Sequence, residues 1–301
     1  MSEQAGREYL DPEALTRLSR LSVRARGPVE GSFTGLHKSP HRGSSVEFSQ
    51  YREYVPGDDI SNVDWRVFAR TDRFYVKEFE ADTNLRGYLV LDCSGSMGFE
   101  ANHGSKLDYG KSLVSLLAQL LVQQGDAAGL HCYNDEVIRS VPPRTSPAHL
   151  RAIFNVLDHI EPSGTTRTAE VLHDLAEQIP RRALVIVVSD FFREVDDILH
   201  CLEHLIFRKH DVAVFHLLDD QELDFNLEQP RRFIDLETGD SILTDPAAIR
   251  RDYLRCMQEY LSYFRGKCLE YGVDYRRAPL SRSYEDVLSA FLLERIRRTG
   301  G

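Results

Sequence analysis

The chain has no apolar run near the ~18 residues that a membrane-spanning helix needs. Its longest purely aliphatic stretch is Ala183 to Val188. The first residues, "MSEQAGREYLDPEAL", carry acidic side chains and no apolar core, so no secretory signal peptide is expected there. Positive charge is scarce: 37 Lys and Arg stand against 47 Asp and Glu, a formal charge of −10. The shortfall lies beyond residue 86, where 24 basic residues face 33 acidic ones. A protein that neutralises phosphates needs the opposite balance, so nucleic acid is excluded as a partner. Cysteines are few, odd in number and without motif spacing: Cys93, Cys132, Cys201, Cys256 and Cys268. They fit reduced thiols better than a disulfide framework, and a cytoplasmic location is the expectation. No internal repeat is visible. With 42% hydrophobic and 28% charged residues, the 301-residue chain reads as globular, not disordered.

What is present changes character along the chain. Residues 1–84 read as a smaller N-terminal region, partly loop, with a short helix at 11–23 and a Gly/Ser/His/Pro-rich stretch, "GPVEGSFTGLHKSPHRGSS". The aromatic and β-branched residues that follow, broken by Pro56-Gly57 and Thr71-Asp72, predict short strands packing on a main domain over 85–301. In the 52–73 stretch Tyr54, Trp65 and Phe68 read as core. Arg52, Asp58, Asp59, Asp64 and Arg70 read as an ion-pair network.

From Gly87 strands alternate with amphipathic helices. Strand 87–92 precedes a helix from Ser105 to Gln124, in which Leu113, Leu116, Leu117, Leu120 and Leu121 share one face. "AAGLHCY" and "EVIRSV" follow as a hairpin joined by Asn134-Asp135, then helices at 147–158 and 167–179. The run "ALVIVVSD" lacks alternation, as a central strand buried on both faces should. A helix at 194–208, the strand "DVAVFHLLD", a hairpin "RFIDLETGDSILTD", a helix at 247–271, the segment "VDYRRAPL" and a helix at 284–297 complete the order. This alternation predicts an α/β domain, a doubly wound and mostly parallel sheet covered on both faces.

Ligands of such a sheet gather at the carboxyl ends of its strands. Three loops there carry oxygen. "VLDCSGSMGF" offers Asp92, Ser94 and Ser96; "EPSGTTRT" offers Thr165; and Asp190 ends "ALVIVVSD". Asp-x-Ser-x-Ser alone is also ordinary turn chemistry. Two carboxylates and three hydroxyls together make a hard, all-oxygen donor set suited to Mg²⁺, Mn²⁺ or Ca²⁺, with Mg²⁺ first. Gly95 and Gly164 permit sharp backbone turns beside them. Cys93, with no histidine near it in sequence, reads as packing.

These residues resemble the metal-ion-dependent adhesion site of von Willebrand factor A domains: Asp-x-Ser-x-Ser, a Thr after glycine, and an Asp ending a central strand. The resemblance implies that Asp92, Ser94, Ser96, Thr165 and Asp190 hold a divalent cation, some through water, and that a partner protein's acidic residue fills the remaining place. Two departures stand out: Ser163-Gly164 replaces paired glycines, and Phe191-Phe192 follows Asp190 where glycine is usual. "REYVPGDDISNVDWRVFART", together with the tail from "IDLETGDSILTDP" to "LLERIRR", is similar to the bacterial domain-of-unknown-function family fifty-eight. That likeness implies a partnership with a MoxR-type AAA+ ATPase.

Two enzymatic readings compete. His200, Glu203 and His204 form the H-x-x-E-H of inverted zinc peptidases, which would make a metal-dependent hydrolase. A helix that buries Ile198, Leu202, Leu205 and Ile206 turns those three toward solvent, away from any enclosed cleft. A haloacid-dehalogenase-type phosphatase needs a second carboxylate where Ser94 stands. No general base is placed near a nucleophile, so the expectation is metal-dependent protein binding and not catalysis.

Overall fold

The computed structural model describes Leu18, Val23, Val67 and residues 46–53, 74–81, 85–193 and 195–299. The expected helix at 11–23 and the residues proposed as core or ion pairs in 52–73 lie outside it, apart from Leu18, Val23 and the backbone of Arg52. The chain divides into two compact units, Gly27–Asn84 and Met1–Arg26 with Leu85–Gly301. In the first, β1 (Val46–Glu53) pairs antiparallel with β2 (Tyr75–Ala81), with an irregularity between Phe48 and Gln50. In the second, Leu18 and Val23 are buried, and the Val23 amide donates to Gln124 Oε1 at 3.0 Å.

The larger unit is built on a six-stranded sheet. Its strands are β3 (Arg86–Asp92), β4 (Ala127–Tyr133), β5 (Val137–Arg144), β6 (Leu184–Ser189), β7 (Asp211–Leu218) and β10 (Asp274–Pro279), in the order β10-β7-β6-β3-β4-β5. All neighbours are parallel except β5, which returns antiparallel on β4. Every residue of β4, β6 and β7 is buried, which is why these strands read as continuous apolar runs without alternation. The doubly wound sheet expected from the sequence is the one observed. The sheet is wound outward in two directions from β3 and β6, so the switch point of the topology falls between these two strands.

Helices α1 (Lys106–Gln123), α2 (Pro147–His159), α3 (Thr168–Gln178) and α4 (Val195–Phe207) follow the sequence expectations to within a residue or two. So do the later helices α6 (Pro246–Tyr271) and α7 (Tyr284–Thr299). Ser105 caps α1: its Oγ accepts from the Asp108 amide at 3.0 Å. On one face of the sheet, Val90, Val187 and Val214 pack in a single cluster with Leu172 and Leu175 of α3, Leu202 of α4 and Phe264 of α6. Arg295 of α7 is fully buried and bonds Asp211 and Asp274, so a charged clamp ties α7 to the starts of β7 and β10.

One element was not expected. A five-residue helix, α5 (Asp220–Asp224), has too few residues to show a period, but a capping box of Asp219 and Glu222 fixes it. The expected hairpin is β8 (Arg231–Ile234) with β9 (Ser241–Thr244). It stands outside the main sheet, with Ile242 and Leu243 64% and 75% exposed.

Candidate metal site at the switch point

Asp92 ends β3 and Asp190 follows β6, so the two carboxylates project from the strands that flank the switch point. Both are buried. Asp92 Oδ1 accepts from the Ser94 amide at 2.9 Å, and Oδ2 accepts from Ser189 Oγ at 2.6 Å. Burial, with the Asp190 charge beside it, pushes the Asp92 carboxyl up to about 7 against these bonds.

The Asp-x-Ser-x-Ser loop turns at once into a single 3₁₀ turn, Gly95–Gly98. That turn brings Ser94 and Ser96 together, their hydroxyls 3.1 Å apart. The loop is stitched to the threonine loop by backbone bonds from Gly95 N to Gly164 O at 3.0 Å and from Ser163 N to Cys93 O at 2.9 Å. Gly164 takes a φ of +72°, which favours glycine. At Gly95 a Cβ would meet Leu236 O at 2.4 Å, so only glycine allows that approach.

Thr166 Oγ1, not a Thr165 atom, donates to Asp92 Oδ2, at 3.5 Å. Thr165 is half-buried on the same loop. Thr166 and Thr168 have their hydroxyls 3.0 Å apart, and the Thr168 hydroxyl lies 3.2 Å from Tyr133 Oη. Thr166 on the second loop and Ser189 at the end of β6 thus donate directly to Asp92 Oδ2, and Ser94 and Ser96 lie on the loop that Asp92 opens.

The Phe-Phe sequence after Asp190 has a structural solution. Phe191 adopts φ +51°, the left-handed turn that glycine would take without cost. Its ring is buried against Phe264 and His216, its amide donates to Ser189 Oγ at 3.1 Å, and its carbonyl accepts from Tyr260 Oη at 2.7 Å. Packing therefore holds a conformation that the backbone disfavours. The Cys93 thiol, hydrogen-bonded with Cys132 and buried, is pushed well up and stays protonated.

Lys106 was not anticipated. It opens α1, where the helix dipole disfavours a cation, and that mismatch is the one sequence signal it gave. Its buried ammonium bonds Asp190 Oδ2 at 2.9 Å and Glu222 Oε1 at 2.6 Å, and the Phe192 ring centroid lies 4.6 Å away. Burial alone would lower this amine; Asp190 and Glu222 override it and the net displacement is upward. Asp92, Asp190 and Glu222 with Lys106 leave two negative charges when all are ionised, the deficit that one divalent cation fills. Among the described residues no group of three His, Cys, Asp or Glu side chains is arranged to hold a metal ion, so any cation here relies on hydroxyls as well.

His200 and Glu203 are exposed on α4, and His204 Nε2 lies 3.6 Å from Glu177 of α3. The three residues of the H-x-x-E-H string sit on the outer surface, away from the strand ends.

The family profile described as "Protein of unknown function DUF58" matches residues 50–260. The chain belongs to this family. A relative from Mycobacterium tuberculosis, "Uncharacterized protein Rv1480", is 26% identical over 238 residues, covering 78% of this chain and 71% of that protein. "Uncharacterized protein YeaD" of Bacillus subtilis is 30% identical over 93 residues, 30% of this chain and 21% of that protein. Among solved structures, the chain is similar to BatB from Bacteroides thetaiotaomicron (TM-score 0.47, 16% identity, 72% of this chain and 100% of that one). It is also similar to a von Willebrand factor type A protein from Catenulispora acidiphila (TM-score 0.36, 14% identity, 61% of this chain and 44% of that one). No helix among the described residues is long and apolar enough to cross a membrane.

Proposed function

We propose that this DUF58 chain is a protein-binding module whose interaction depends on a divalent cation, Mg²⁺ first among the hard cations, held by Asp92, Ser94, Ser96, Thr166 and Asp190. The observation that carries the reading is a pair of neighbouring buried carboxylates with hydroxyls beside them, where burial and the Asp190 charge outweigh the hydrogen bonds to Asp92 and push it up to about 7. Ser94 and Ser96 hydroxyls bond each other and keep lone pairs free. Lys106 engages one oxygen of Asp190, and the other remains for a cation. The donor set is hard oxygen throughout, which fits Mg²⁺, Mn²⁺ or Ca²⁺ and disfavours zinc.

The cation supplies a concentrated positive charge on a net negative protein; the chain's own part is to orient the oxygens and keep competing bases away. Five side-chain oxygens leave an octahedral ion one place for a further protein oxygen. A partner's Asp or Glu suits that place, and repulsion elsewhere makes its attraction depend on the ion. Catalysis finds little support: His216 is fully buried among Phe191, Tyr260, Phe264 and Tyr275, and burial lowers it to about 3. It offers no base to a substrate.

The family resemblance supports a MoxR-type AAA+ ATPase as the protein with which this module works in assembling or maturing other proteins. Five free cysteines, three of them buried, suit a reducing, cytoplasmic setting. The test is retention of that ATPase on the immobilised chain. Retention with Mg²⁺ that chelator abolishes supports the reading, and retention unchanged by chelator contradicts it.

A further inference from the structure

A cleft of about 420 Å³ lies between α5, α6 and β10, the strand at one end of the sheet order. Its floor is apolar. Met257 and Leu261 are buried there and cluster with Leu218, and half-buried Leu223 of α5 packs against them. Leu254, also half-buried, continues the floor along α6. The rim is polar: Gln258, Ser262, Arg265 and Arg277 are exposed. A buried apolar floor inside a polar, solvated rim is the anatomy of a protein–protein contact. A small-molecule site of this size instead encloses most of its ligand.

The charge of the rim is one-sided. The cleft is lined by two guanidinium groups and no carboxylate, on a chain with a formal charge of −10. Among the described residues neither Arg265 nor Arg277 has an ion pair or a hydrogen bond. Arg276, which alternation turns to the other face of β10, is paired with Asp274 and Glu294. Burial raises the Tyr275 phenol, and the Arg277 and Arg265 charges both oppose that rise. The two arginines therefore converge on one neighbourhood, although one comes from a strand and the other from a helix. Along α6 the lining runs from Leu254 to Arg265, roughly 16 Å at ~1.5 Å per residue. That is the length of about five extended residues.

We infer that this cleft binds an acidic peptide segment of a partner protein. An aliphatic side chain of the segment sits on Met257 and Leu261, and Arg265 and Arg277 take its carboxylates. A guanidinium fork matches a carboxylate in geometry as well as charge. The rest of the protein is net negative and repels such a segment, so the two arginines set where it lands. No residue of the cleft is among the proposed cation ligands, so the inference stands apart from the reading above.

The probe is a fluorescein-labelled peptide of two leucines followed by three glutamates, titrated with the full chain in chelator and read by fluorescence anisotropy. Wild type is expected to bind it saturably. Arg265→Gln and Arg277→Gln together should weaken binding at least tenfold, since charge-assisted contacts are lost. Both side chains are exposed, and circular dichroism and melting check the fold of the variant. Leu254→Glu, which brings a like charge to the floor, should weaken binding too, and so should glutamines in place of the peptide's glutamates. No saturable binding to wild type, or equal affinity after either the arginine or the glutamine replacement, overturns the inference. A concentration-dependent dimer of wild type that the arginine variant abolishes makes a second copy the occupant and overturns it as well. Binding that needs Mg²⁺ and is lost in Asp92→Ala places the peptide at the cation, which supports the reading above and overturns this one.

Discussion

Replacing Asp92 by Asn should stabilise the cation-free protein at neutral pH while destroying its use. The carboxyl is fully buried, beside Asp190, and stands at about 7 where an ordinary Asp has 3.8. At ~1.36 kcal/mol per pH unit the displacement corresponds to roughly 4 kcal/mol against the ionised form. The sign follows from proton binding: between pH 3.8 and about 7 the native state holds the Asp92 proton that the unfolded chain has released. Stability therefore falls as pH rises through that window. The Asn variant has no such charge. It keeps an acceptor for the Ser94 amide, and its NH₂ can donate to Ser189 or Thr166, but the charge-assisted bond from Ser189 weakens. That loss takes back about 1–2 kcal/mol, leaving a net gain of roughly 2–3 kcal/mol. Urea unfolding in chelator at pH 4 and pH 8, followed by circular dichroism, measures it. The variant should exceed wild type at pH 8, and the difference should shrink or reverse at pH 4. A variant less stable than wild type at pH 8, or a difference independent of pH, refutes the electrostatic account of the site.

Lys106→Met strands Asp190 and Glu222 in the interior and should cost about 3–5 kcal/mol in the same unfolding assay. Phe191→Gly removes a strain of about 1–3 kcal/mol but also a buried ring worth about 3–5; a lowered Tm is expected, and a raised one would mean strain dominates. His216 is neutral in the fold, with its pKa lowered from 6.5 to about 3, so stability is lost as pH falls from 6.5 toward 3. His216→Asn should flatten the slope between pH 6.5 and pH 4.5 by up to about 1.4 kcal/mol per pH unit.

The fold was legible because its elements carry strong periods. Residues 184–188 are buried throughout and read as one unbroken apolar run, and the five leucines of α1 mark a buried face. What escaped was fixed by geometry that no local pattern encodes. Adjacent Thr165 and Thr166 satisfy a glycine-threonine motif equally well, and the sequence alone does not tell that the Thr166 hydroxyl is the one that bonds Asp92. Ser189 was readable as the residue before Asp190, yet its bond to Asp92 crosses from one strand to another. Lys106 bonds Asp190 across 84 residues and Glu237 accepts from the Thr166 amide across 71, so sequence proximity could not nominate them. Phe191-Phe192 stands where glycine is usual, and burial of Phe191 replaces the freedom that glycine would have given.

The claim on which the account turns is that the switch-point oxygens bind a divalent cation. Calorimetric titration of Mg²⁺ into metal-stripped wild type, Asp92→Asn and Asp190→Asn tests it most directly. The account predicts one saturable site per wild-type chain and none in either variant, with all three folded by circular dichroism. No saturable heat in wild type, or the same isotherm in wild type and both variants, contradicts it.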